Sequence, residues 1–298
     1  MIFIKEIERF LEEDMYYDDA SGFFIPDKFV DAKIFCKVSC VVSGIGVAES
    51  IFKYFDIEYE TLVSNGNIVD SNTVFFKIRG EAKNILKAER LTLNFLSHLC
   101  GIATNTHEYT KLIRKACDEK NSDEENCDEE NCDDCNEENI PKIAGTRKTM
   151  PGLRKFEKEA VAHGGGDTHR KNLSECIMIK DNHIEVLGLK ESIILAKKHA
   201  SFTQKIEVEV ENENDALIAA ETGADIIMFD NMKPEEIKSA INLLIENNLR
   251  KNVIIEASGG ITKDTISYYA TTGVDIISVS GVITQAPWID IGLDIENL

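Results

Sequence analysis

The first 115 residues alternate between helical and β patterns of apolar positions. Apolar residues three and four apart indicate helices at residues 2–12 and 47–54, and alternating residues indicate strands at residues 32–42 and 73–79. A longer helical pattern covers residues 81–115, with an expected interruption near Cys100-Gly101. Strands packed with helices predict an α+β unit for this part of the chain.

From residue 176 onward the pattern changes to repeated strand-then-helix units. The candidate strands are residues 176–180, 205–211, 225–230, 252–257 and 275–279. An internal repeat supports this assignment, because Thr222-Gly-Ala-Asp-Ile-Ile227 recurs 50 residues later as Thr272-Gly-Val-Asp-Ile-Ile277. Such repetition predicts an α/β fold with parallel strands, either a barrel or an open doubly wound sheet. Both folds bind ligands at the carboxyl ends of their strands.

Residues 117–139 carry concentrated negative charge between the two patterns. They hold 12 acidic residues and one lysine, more than half of the net charge of −20, and four of the eight cysteines. With so few apolar residues, this insert is expected to be a disordered or mobile loop. We therefore predict an N-terminal domain at residues 1–116, the insert, and a catalytic domain at residues 140–281. Residues 282–298 are free to pack back on the first domain.

The cysteines of the insert leave two interpretations open. Cys132-Asp-Asp-Cys135, together with Cys117 and Cys127, could supply a zinc or iron–sulfur tetrad. The alternative is a solvated acidic loop in which the cysteines are incidental.

Charge and hydropathy exclude several classes of function. The 53 acidic residues against 33 basic ones disfavour nucleic-acid binding, which depends on neutralising phosphates. No apolar run approaches the roughly 18 residues of a membrane-spanning helix, and the first ten residues lack the basic n-region of a secretory leader. We expect a cytoplasmic protein that binds neither nucleic acid nor membrane. Its remaining cysteines are expected to be buried thiols: Cys36, Cys40, Cys100 and Cys176.

Polar residues with recognisable chemistry follow the predicted strands directly. They are Lys180 to His183, Glu209, Asp230-Asn231, Ser258-Gly259-Gly260 and Ser280-Gly281. Glu209 and Asp230 offer the carboxylate oxygens that magnesium prefers, and the glycine-containing turns offer backbone N–H groups to a phosphate. Each feature alone is more often a cap or a turn. Their coincidence at one edge of a sheet indicates a site for Mg²⁺ and a phosphorylated ligand.

One segment gathers positive charge in an otherwise acidic chain. Within 34 residues it brings together Arg147, Lys148, Arg154, His169, Arg170 and Lys180. Arginine binds planar carboxylates and phosphates through paired hydrogen bonds, and lysine supplies a point charge, so this set suits a ligand that carries several such groups. The alternative is a solvated basic face. The three consecutive glycines at residues 164–166 favour the first interpretation, because they indicate a close approach of the backbone to a ligand.

Several sequence blocks carry a family resemblance. The first three are Thr146-Arg-Lys-Thr-Met-Pro-Gly-Leu-Arg154, Gly164-Gly-Gly-Asp-Thr-His-Arg170 and Ile179-Lys-Asp-Asn-His-Ile184. The others are Glu89-Arg-Leu-Thr-Leu-Asn-Phe-Leu96, Gly101-Ile-Ala-Thr104, Glu207-Val-Glu-Val-Glu211, Phe229-Asp-Asn-Met232 and Glu256-Ala-Ser-Gly-Gly260. In this order they resemble the signature blocks of the quinolinate phosphoribosyltransferases, over nearly the whole chain outside the insert.

The resemblance implies a type II phosphoribosyltransferase, with an N-terminal α/β sandwich-like domain and an incomplete α/β barrel. It implies magnesium-dependent transfer of the phosphoribosyl group from phosphoribosyl pyrophosphate to quinolinate with decarboxylation, in the de novo synthesis of NAD. It also implies a homodimer or a hexamer whose active site is shared between subunits, with Arg90 reaching across the interface.

The same resemblance implies the roles of individual residues. Arg147, His169 and Arg170 match positions that hold the two carboxylates of quinolinate. Lys148 and Lys180 match positions between quinolinate and the pyrophosphate group, and Glu209 and Asp230 match the positions that organise magnesium and the ribose hydroxyls. The positions of the 5′-phosphate loops are matched by Ser258, Gly259, Gly260, Ser280 and Gly281.

Two motifs depart from the family pattern. The N-terminal acidic motif reads Glu13-Asp-Met-Tyr-Tyr-Asp-Asp-Ala-Ser-Gly22 and lacks the family's two internal glycines. The segment after the last strand reads Gly281-Val-Ile-Thr-Gln-Ala286, where the family has Gly-x-Leu-Thr-His-Ser. The insert at residues 117–139 is a third departure from the family. Two alternatives therefore stay open: a phosphoribosyltransferase for a different carboxylated base, or a metal-buffering or scaffold protein on the same fold.

Overall fold

The computed structural model describes residues 4–15, 19–123 and 140–296. In chain order the first elements are α1 (Ile4–Asp14), β1 (Phe29–Cys36), β2 (Cys40–Val41), α2 (Ile45–Tyr54), β3 (Glu58–Thr61), β4 (Ile68–Val69), β5 (Val74–Glu81) and α3 (Ala82–Asp123). They are followed by β6 (Lys142–Ala144), α4 (Arg154–His163), β7 (Ile177–Ile179), α5 (Asp181–Leu187), α6 (Leu189–His199), β8 (Ile206–Val210) and α7 (Glu213–Thr222). The last are β9 (Ile226–Asp230), α8 (Pro234–Glu246), β10 (Ile254–Ser258), α9 (Ile266–Ala270), β11 (Ile276–Ser278), α10 (Gly281–Thr284) and β12 (Ile291–Glu296). No helix within the described ranges is long and apolar enough to cross a membrane.

The described residues form two compact units. The first holds the residues up to His107, the segment Lys155–Gly165, and the residues from Gln285 onward. The second holds Glu108–Arg154 and Gly166–Thr284. The predicted bounds lay at residues 116 and 281, and the internal segment in the first unit was not part of the prediction.

The first unit is built on a four-stranded antiparallel sheet in the order β12-β1-β5-β3. Alternate residues of β1 are buried, from Val30 to Cys36, as expected for a strand with one face on a core. The predicted strand at residues 32–42 is in fact two strands, because β1 ends at Cys36 and β2 begins at Cys40. The C-terminal strand β12 pairs with β1, with Ile291 opposite Cys36.

Helix α3 runs without a break from Ala82 to Asp123, so the interruption expected near Cys100-Gly101 is wrong. Gly101 is needed for packing instead, because a Cβ atom there would overlap the backbone carbonyl of Pro287. The helix also includes residues 117–123, which the prediction assigned to a loop. The rest of the insert, with Cys127, Cys132 and Cys135, lies outside the described residues.

Gly101→Ala is therefore expected to destabilise the protein by about 1–3 kcal/mol, the usual cost of overpacking. Gly46→Ala is the matched control. Gly46 also lies in a helix, but a Cβ there meets no atom within 4 Å, so alanine should stabilise by about 0.4–1 kcal/mol through the unfolded state. Urea unfolding of both variants measures the difference. Equal effects of the two substitutions would contradict the assigned role of Gly101.

The second unit contains a six-stranded parallel sheet in the order β6-β11-β10-β9-β8-β7. Its first edge strand, β6, is a strand that the sequence analysis missed, since three residues are too few to show a pattern. The five predicted strands are all present. Among the described strands β6 and β7 stand at opposite edges, so the barrel is incomplete.

The repeated Thr-Gly-x-Asp-Ile-Ile motif has a structural explanation. The Asp225 carboxylate accepts the backbone N–H of Ile206 at the start of β8, at 2.7 Å. The Asp275 carboxylate accepts the N–H of Ile255 in β10, also at 2.7 Å. In both copies the glycine before the aspartate adopts a positive φ, at Gly223 and Gly273. Each aspartate thus ties the amino-terminal edge of its own strand to that of the adjacent strand.

At least one glycine of the triplet at residues 164–166 is required for packing. A Cβ atom on Gly164 would overlap the backbone carbonyl of Ala103 and the side chain of Thr106, both on α3 in the same unit. Gly165, the second residue after the end of α4, adopts a φ of +88°. The close approach inferred from these glycines is therefore made, at Gly164, to a helix and not to a ligand.

Candidate active site

The carboxyl ends of the parallel strands place polar side chains on one face of the sheet. Side chains two residues apart on a strand share a face, so Glu207 and Glu209 on β8 point the same way. Asp230 at the end of β9 is in register with Ser258 at the end of β10. Glu209 and Glu256 both lie beside Met228 of β9, so they belong to the same level of the sheet.

Lys180 and Glu209 form an ion pair at this edge. Burial raises the pKa of Glu209; Lys180 opposes this effect, and the charges of Asp230 and Glu207 add to it. Lys180 therefore pairs with Glu209 in a partly buried place where two further carboxylates act on the same group. Excess negative charge carried by oxygen donors fits the ligand preference of Mg²⁺, and Glu209 and Asp230 are the residues that could hold such an ion.

A tight turn follows each of β9 and β10, and the two turns contact each other. Asn231 adopts a left-handed backbone with φ of +56°, its amide donates to the Asp230 carboxylate at 3.0 Å, and its backbone N–H donates to the Ser258 carbonyl at 2.9 Å. Gly259 must be glycine, because its φ is +91° and a Cβ would overlap the Asn231 amide. Around Gly260, by contrast, a Cβ would meet nothing within 4 Å.

The second predicted phosphate loop lies at the end of β11. The Ser280 carbonyl accepts the backbone N–H groups of Ile283 at 3.1 Å and Thr284 at 3.0 Å, which starts α10. Gly281 is buried. A phosphate role for Ser280 and Gly281, as for the Ser258 turn, stays a prediction.

Three arginines converge in the second unit. Burial lowers the pKa of Arg147, and the positive charges of Arg170 and Arg154 lower it further. The Nε atom of Arg147 is buried and has no hydrogen-bond partner among the described residues. Arg154 is held by Thr149, whose hydroxyl accepts from Nε at 3.0 Å. An anion bound among these like charges would reduce their mutual repulsion.

Arg170 is fixed at both ends. Its guanidinium donates to the Cys176 carbonyl at 3.4 Å and lies 3.1 Å from the Met178 sulfur. Its backbone N–H donates to Nδ1 of His169 at 2.7 Å. The planar guanidinium is therefore held at a defined position before any ligand binds.

His169 lies beside two buried carboxylates. Its Nε2 atom is 3.2 Å from Glu256 Oε2 and 3.5 Å from Glu207 Oε1. Burial lowers the pKa of His169, but its hydrogen bonds and the charges of Glu207 and Glu256 outweigh that effect and raise the pKa overall. The residue also adopts a left-handed backbone with φ of +50°. Backbone strain of this kind persists where the surroundings hold it, and it is common at functional sites.

The sequence analysis missed the part played by Glu207 and Glu256. Both were noted within motifs, but neither was singled out, although period-two alternation from Glu209 would have placed Glu207 on the same face. Two other residues of the predicted site have exposed side chains. Lys148 is exposed in the second unit, and Arg90 is exposed on α3 in the first unit.

An α/β barrel whose strand ends combine arginines with paired carboxylates defines an enzyme that acts on an anionic substrate. Family models for the quinolinate phosphoribosyl transferase N-terminal and C-terminal domains match residues 14–100 and 130–294. The chain belongs to the quinolinate phosphoribosyl transferase family.

Individual relatives agree with this assignment. The chain is 39% identical over 295 residues to a protein of Methanothermobacter thermautotrophicus named probable nicotinate-nucleotide pyrophosphorylase [carboxylating], covering 98% of each chain. It is 36% identical over 302 residues to the nicotinate-nucleotide pyrophosphorylase [carboxylating] of Dictyostelium discoideum, covering 98% of this chain and 95% of the relative. The solved nicotinate-nucleotide pyrophosphorylase of Francisella tularensis is similar at a TM-score of 0.84 and 30% identity, over 99% of this chain and 98% of that one.

Proposed function

We propose that the protein transfers the phosphoribosyl group of phosphoribosyl pyrophosphate to quinolinate, and releases pyrophosphate, CO₂ and nicotinate mononucleotide in NAD synthesis. The observation that carries this proposal is the cluster of Arg147, Arg154 and Arg170, in which a buried Nε atom has no partner among the described residues. A pyridine dicarboxylate supplies the two planar anions that such a cluster lacks.

The arginines act by positioning. Quinolinate carries carboxylates at ring positions 2 and 3, and two guanidinium groups that hold both carboxylates also fix the direction of the ring nitrogen. That nitrogen is itself the nucleophile, so no general base is needed. It forms a bond to C1 of the ribose as the bond from C1 to the pyrophosphate oxygen breaks, and pyrophosphate leaves with the electron pair.

Decarboxylation follows from the same alkylation. Once the nitrogen is bonded to ribose, the ring is positively charged and can hold the electrons left when the 2-carboxylate departs as CO₂. The ring carbon then takes a proton from water, which gives the mononucleotide of pyridine-3-carboxylate. The protein's contribution to this step is to hold the ring and its remaining carboxylate in place.

The opposite side of the site carries the sugar and its phosphates. Lys148 and Lys180 supply positive charge to the departing pyrophosphate, and Glu209 and Asp230 are the residues that would hold Mg²⁺. When bound, Mg²⁺ neutralises charge on the leaving group. The turns at Ser258-Gly259-Gly260 and Ser280-Gly281 are proposed to receive the 5′-phosphate through backbone N–H groups.

The assembly belongs to the same proposal. By its resemblance to the family, the chain is inferred to form a homodimer or a hexamer of dimers, with Arg90 of one subunit completing the site of its neighbour. The exposure of Arg90 supports this role. A cytoplasmic location stays a prediction.

A product assay tests the proposed function. The full chain is incubated with quinolinate, phosphoribosyl pyrophosphate and Mg²⁺, and CO₂ and nicotinate mononucleotide are measured together. Equal amounts of both are expected. Nicotinate, which lacks the 2-carboxylate, is the control compound, and we expect the protein not to convert it. Absence of both products from folded protein, or turnover of another pyridine acid in place of quinolinate, would overturn the proposal.

A further inference from the structure

Asp167 extends the parallel sheet by one residue beyond its edge strand β6. Its backbone N–H donates to the Ile143 carbonyl at 2.7 Å, and its own carbonyl accepts the Gly145 N–H at 3.0 Å. These hydrogen bonds form an isolated parallel bridge between Asp167 and Ala144. Because Ala144 is buried and in register with Ser278 of β11, the bridge ties the backbone of Asp167 to the sheet.

The bridge also relates two arginines of the candidate active site. Both segments run in the same direction through the bridge. Arg147 follows Ala144 by three residues, and Arg170 follows Asp167 by three residues. Burial lowers the pKa of Arg147, and the nearby positive charge of Arg170 lowers it further. The bridge therefore accounts for the closeness of two arginines that are distant in the sequence.

The carboxylate of Asp167 holds the turn that leads to Arg170. Its Oδ1 atom accepts the backbone N–H of His169 at 2.7 Å, a hydrogen bond that aspartate commonly makes to the residue two positions later. His169 adopts a left-handed backbone in this turn, with φ of +50°. A residue with a side chain adopts this backbone only where its surroundings hold it. The Asp167 carboxylate is one such restraint.

The Asp167 side chain contributes little to packing, because it is exposed. The two hydrogen bonds of the bridge use only backbone atoms, so they do not depend on the carboxylate. Removal of the carboxylate should therefore release the turn at His169 and leave the sheet intact. An exposed residue of this kind usually has little effect on stability, so its effect should fall on the geometry of the site.

We propose that Asp167 is a positioning residue for the substrate, whose carboxylate fixes the turn that presents His169 and Arg170 beside Arg147. This inference rests on the proposed function, since quinolinate is taken as the ligand of these side chains. Asp167 acts as a hydrogen-bond acceptor in this role, and its negative charge is not required.

Two substitutions of Asp167 separate the hydrogen bond from the charge. Asparagine keeps an oxygen that can accept the His169 N–H, whereas alanine removes it. We expect Asp167→Asn to keep kcat/KM for quinolinate within about threefold of wild type. Asp167→Ala should lower it by about 10- to 100-fold, since a displacement of about 1 Å can cost about 10²-fold. The KM for phosphoribosyl pyrophosphate should be unchanged in both variants, and the melting temperature should stay within about 2 °C of wild type.

Gln204→Ala is the matched control. The side-chain oxygen of Gln204 also accepts a backbone N–H, from Ser201 at 3.1 Å. Gln204 precedes β8, so it lies on the side of the sheet opposite the proposed site. Its loss should leave kcat/KM for quinolinate at the wild-type value.

Binding is measured apart from turnover with benzene-1,2-dicarboxylate, which has the two carboxylates of quinolinate but no ring nitrogen. Calorimetry should show affinity for this dicarboxylate lowered by about 10- to 100-fold in Asp167→Ala, and near wild type in Asp167→Asn and Gln204→Ala. A general loss of folded structure would instead raise the KM for phosphoribosyl pyrophosphate and lower the melting temperature in parallel, and that result would overturn the positioning role.

The outcomes are distinguishable from failure of the proposed function. If wild-type protein neither turns over quinolinate nor binds the dicarboxylate, the proposed function is wrong. If wild-type protein does both, two further results would overturn the positioning role of Asp167. One is an Asp167→Asn variant as impaired as Asp167→Ala, which would show that the charge itself is needed. The other is an Asp167→Ala variant that keeps wild-type affinity and turnover.

Discussion

Arg147→Ala should lower kcat/KM for quinolinate by about 10²–10⁴-fold, because truncating one partner of a buried charge pair costs about 2–5 kcal/mol or more. Arg147 is suited to such an effect. Its pKa is lowered by burial and by two neighbouring arginines, and its Nε atom has no hydrogen-bond partner among the described residues. Under the proposed function, the dianionic substrate supplies the partner that Nε lacks among the described residues.

The same reasoning predicts an opposite effect on stability. Removing a charge that is repelled by Arg170 and Arg154 should leave the melting temperature of the ligand-free protein unchanged or raise it, as expected where a site is arranged for binding at the expense of stability. Arg114→Ala, at an exposed position of α3, is the control and should change neither property. Full quinolinate turnover by Arg147→Ala would contradict the assignment of the arginine cluster as the substrate site.

Asp230→Asn should lower kcat/KM for phosphoribosyl pyrophosphate by about 10²–10³-fold, on the order of the effect of removing one electrostatic contact to a transition state. Asparagine keeps the shape of the side chain and an oxygen that can accept from the Asn231 amide, now 3.0 Å from the Asp230 carboxylate. The turn should therefore persist, and the loss should come from charge. Glu209, whose pKa responds to the Asp230 charge, shares the same cation in this proposal.

The measurement is turnover against Mg²⁺ concentration. In Asp230→Asn the concentration needed for half-maximal rate should rise, and excess Mg²⁺ should restore part of the rate. Benzene-1,2-dicarboxylate has the two carboxylates of quinolinate but no ring nitrogen, so its binding needs the arginines only. Its affinity should stay at the wild-type value. Asp294→Asn, at an exposed acidic residue of β12 in the first unit, is the matched control. An unchanged requirement for Mg²⁺ would remove Asp230 from the metal site.

Local patterns were sufficient to predict the parallel strands and the polar residues that follow them. The strand ends bearing Lys180, Glu209 and Asp230 were predicted because a strand pattern followed by a polar residue is visible within a few positions. Strand β6 was missed, because Lys142–Ala144 is too short to show alternation. Burial was predicted for four thiols; it is confirmed at Cys36, Cys40 and Cys100 and wrong at Cys176, which is half-buried.

Long-range contacts decided what local patterns could not. Gly101 looks like a helix break in sequence, and only the approach of Pro287 shows why a helix needs glycine there. His169 resembles a ligand-binding histidine in its motif. Its partners Glu207 and Glu256 come from two later strands, so the direction of the ring follows from the tertiary fold and not from the motif.

Asp225 and Asp275 stabilise the edge of the sheet opposite the proposed site, so stability and turnover depend on different edges. Asp225 ties down the amino-terminal edge, whereas Asp230, at the other end of the same strand, belongs to the proposed catalytic edge. Five residues of extended strand span about 16 Å, well beyond the roughly 7–10 Å within which substitutions affect each other. Resistance to heat and rate of turnover can therefore be altered independently, by evolution or by design, through changes confined to opposite edges of one sheet.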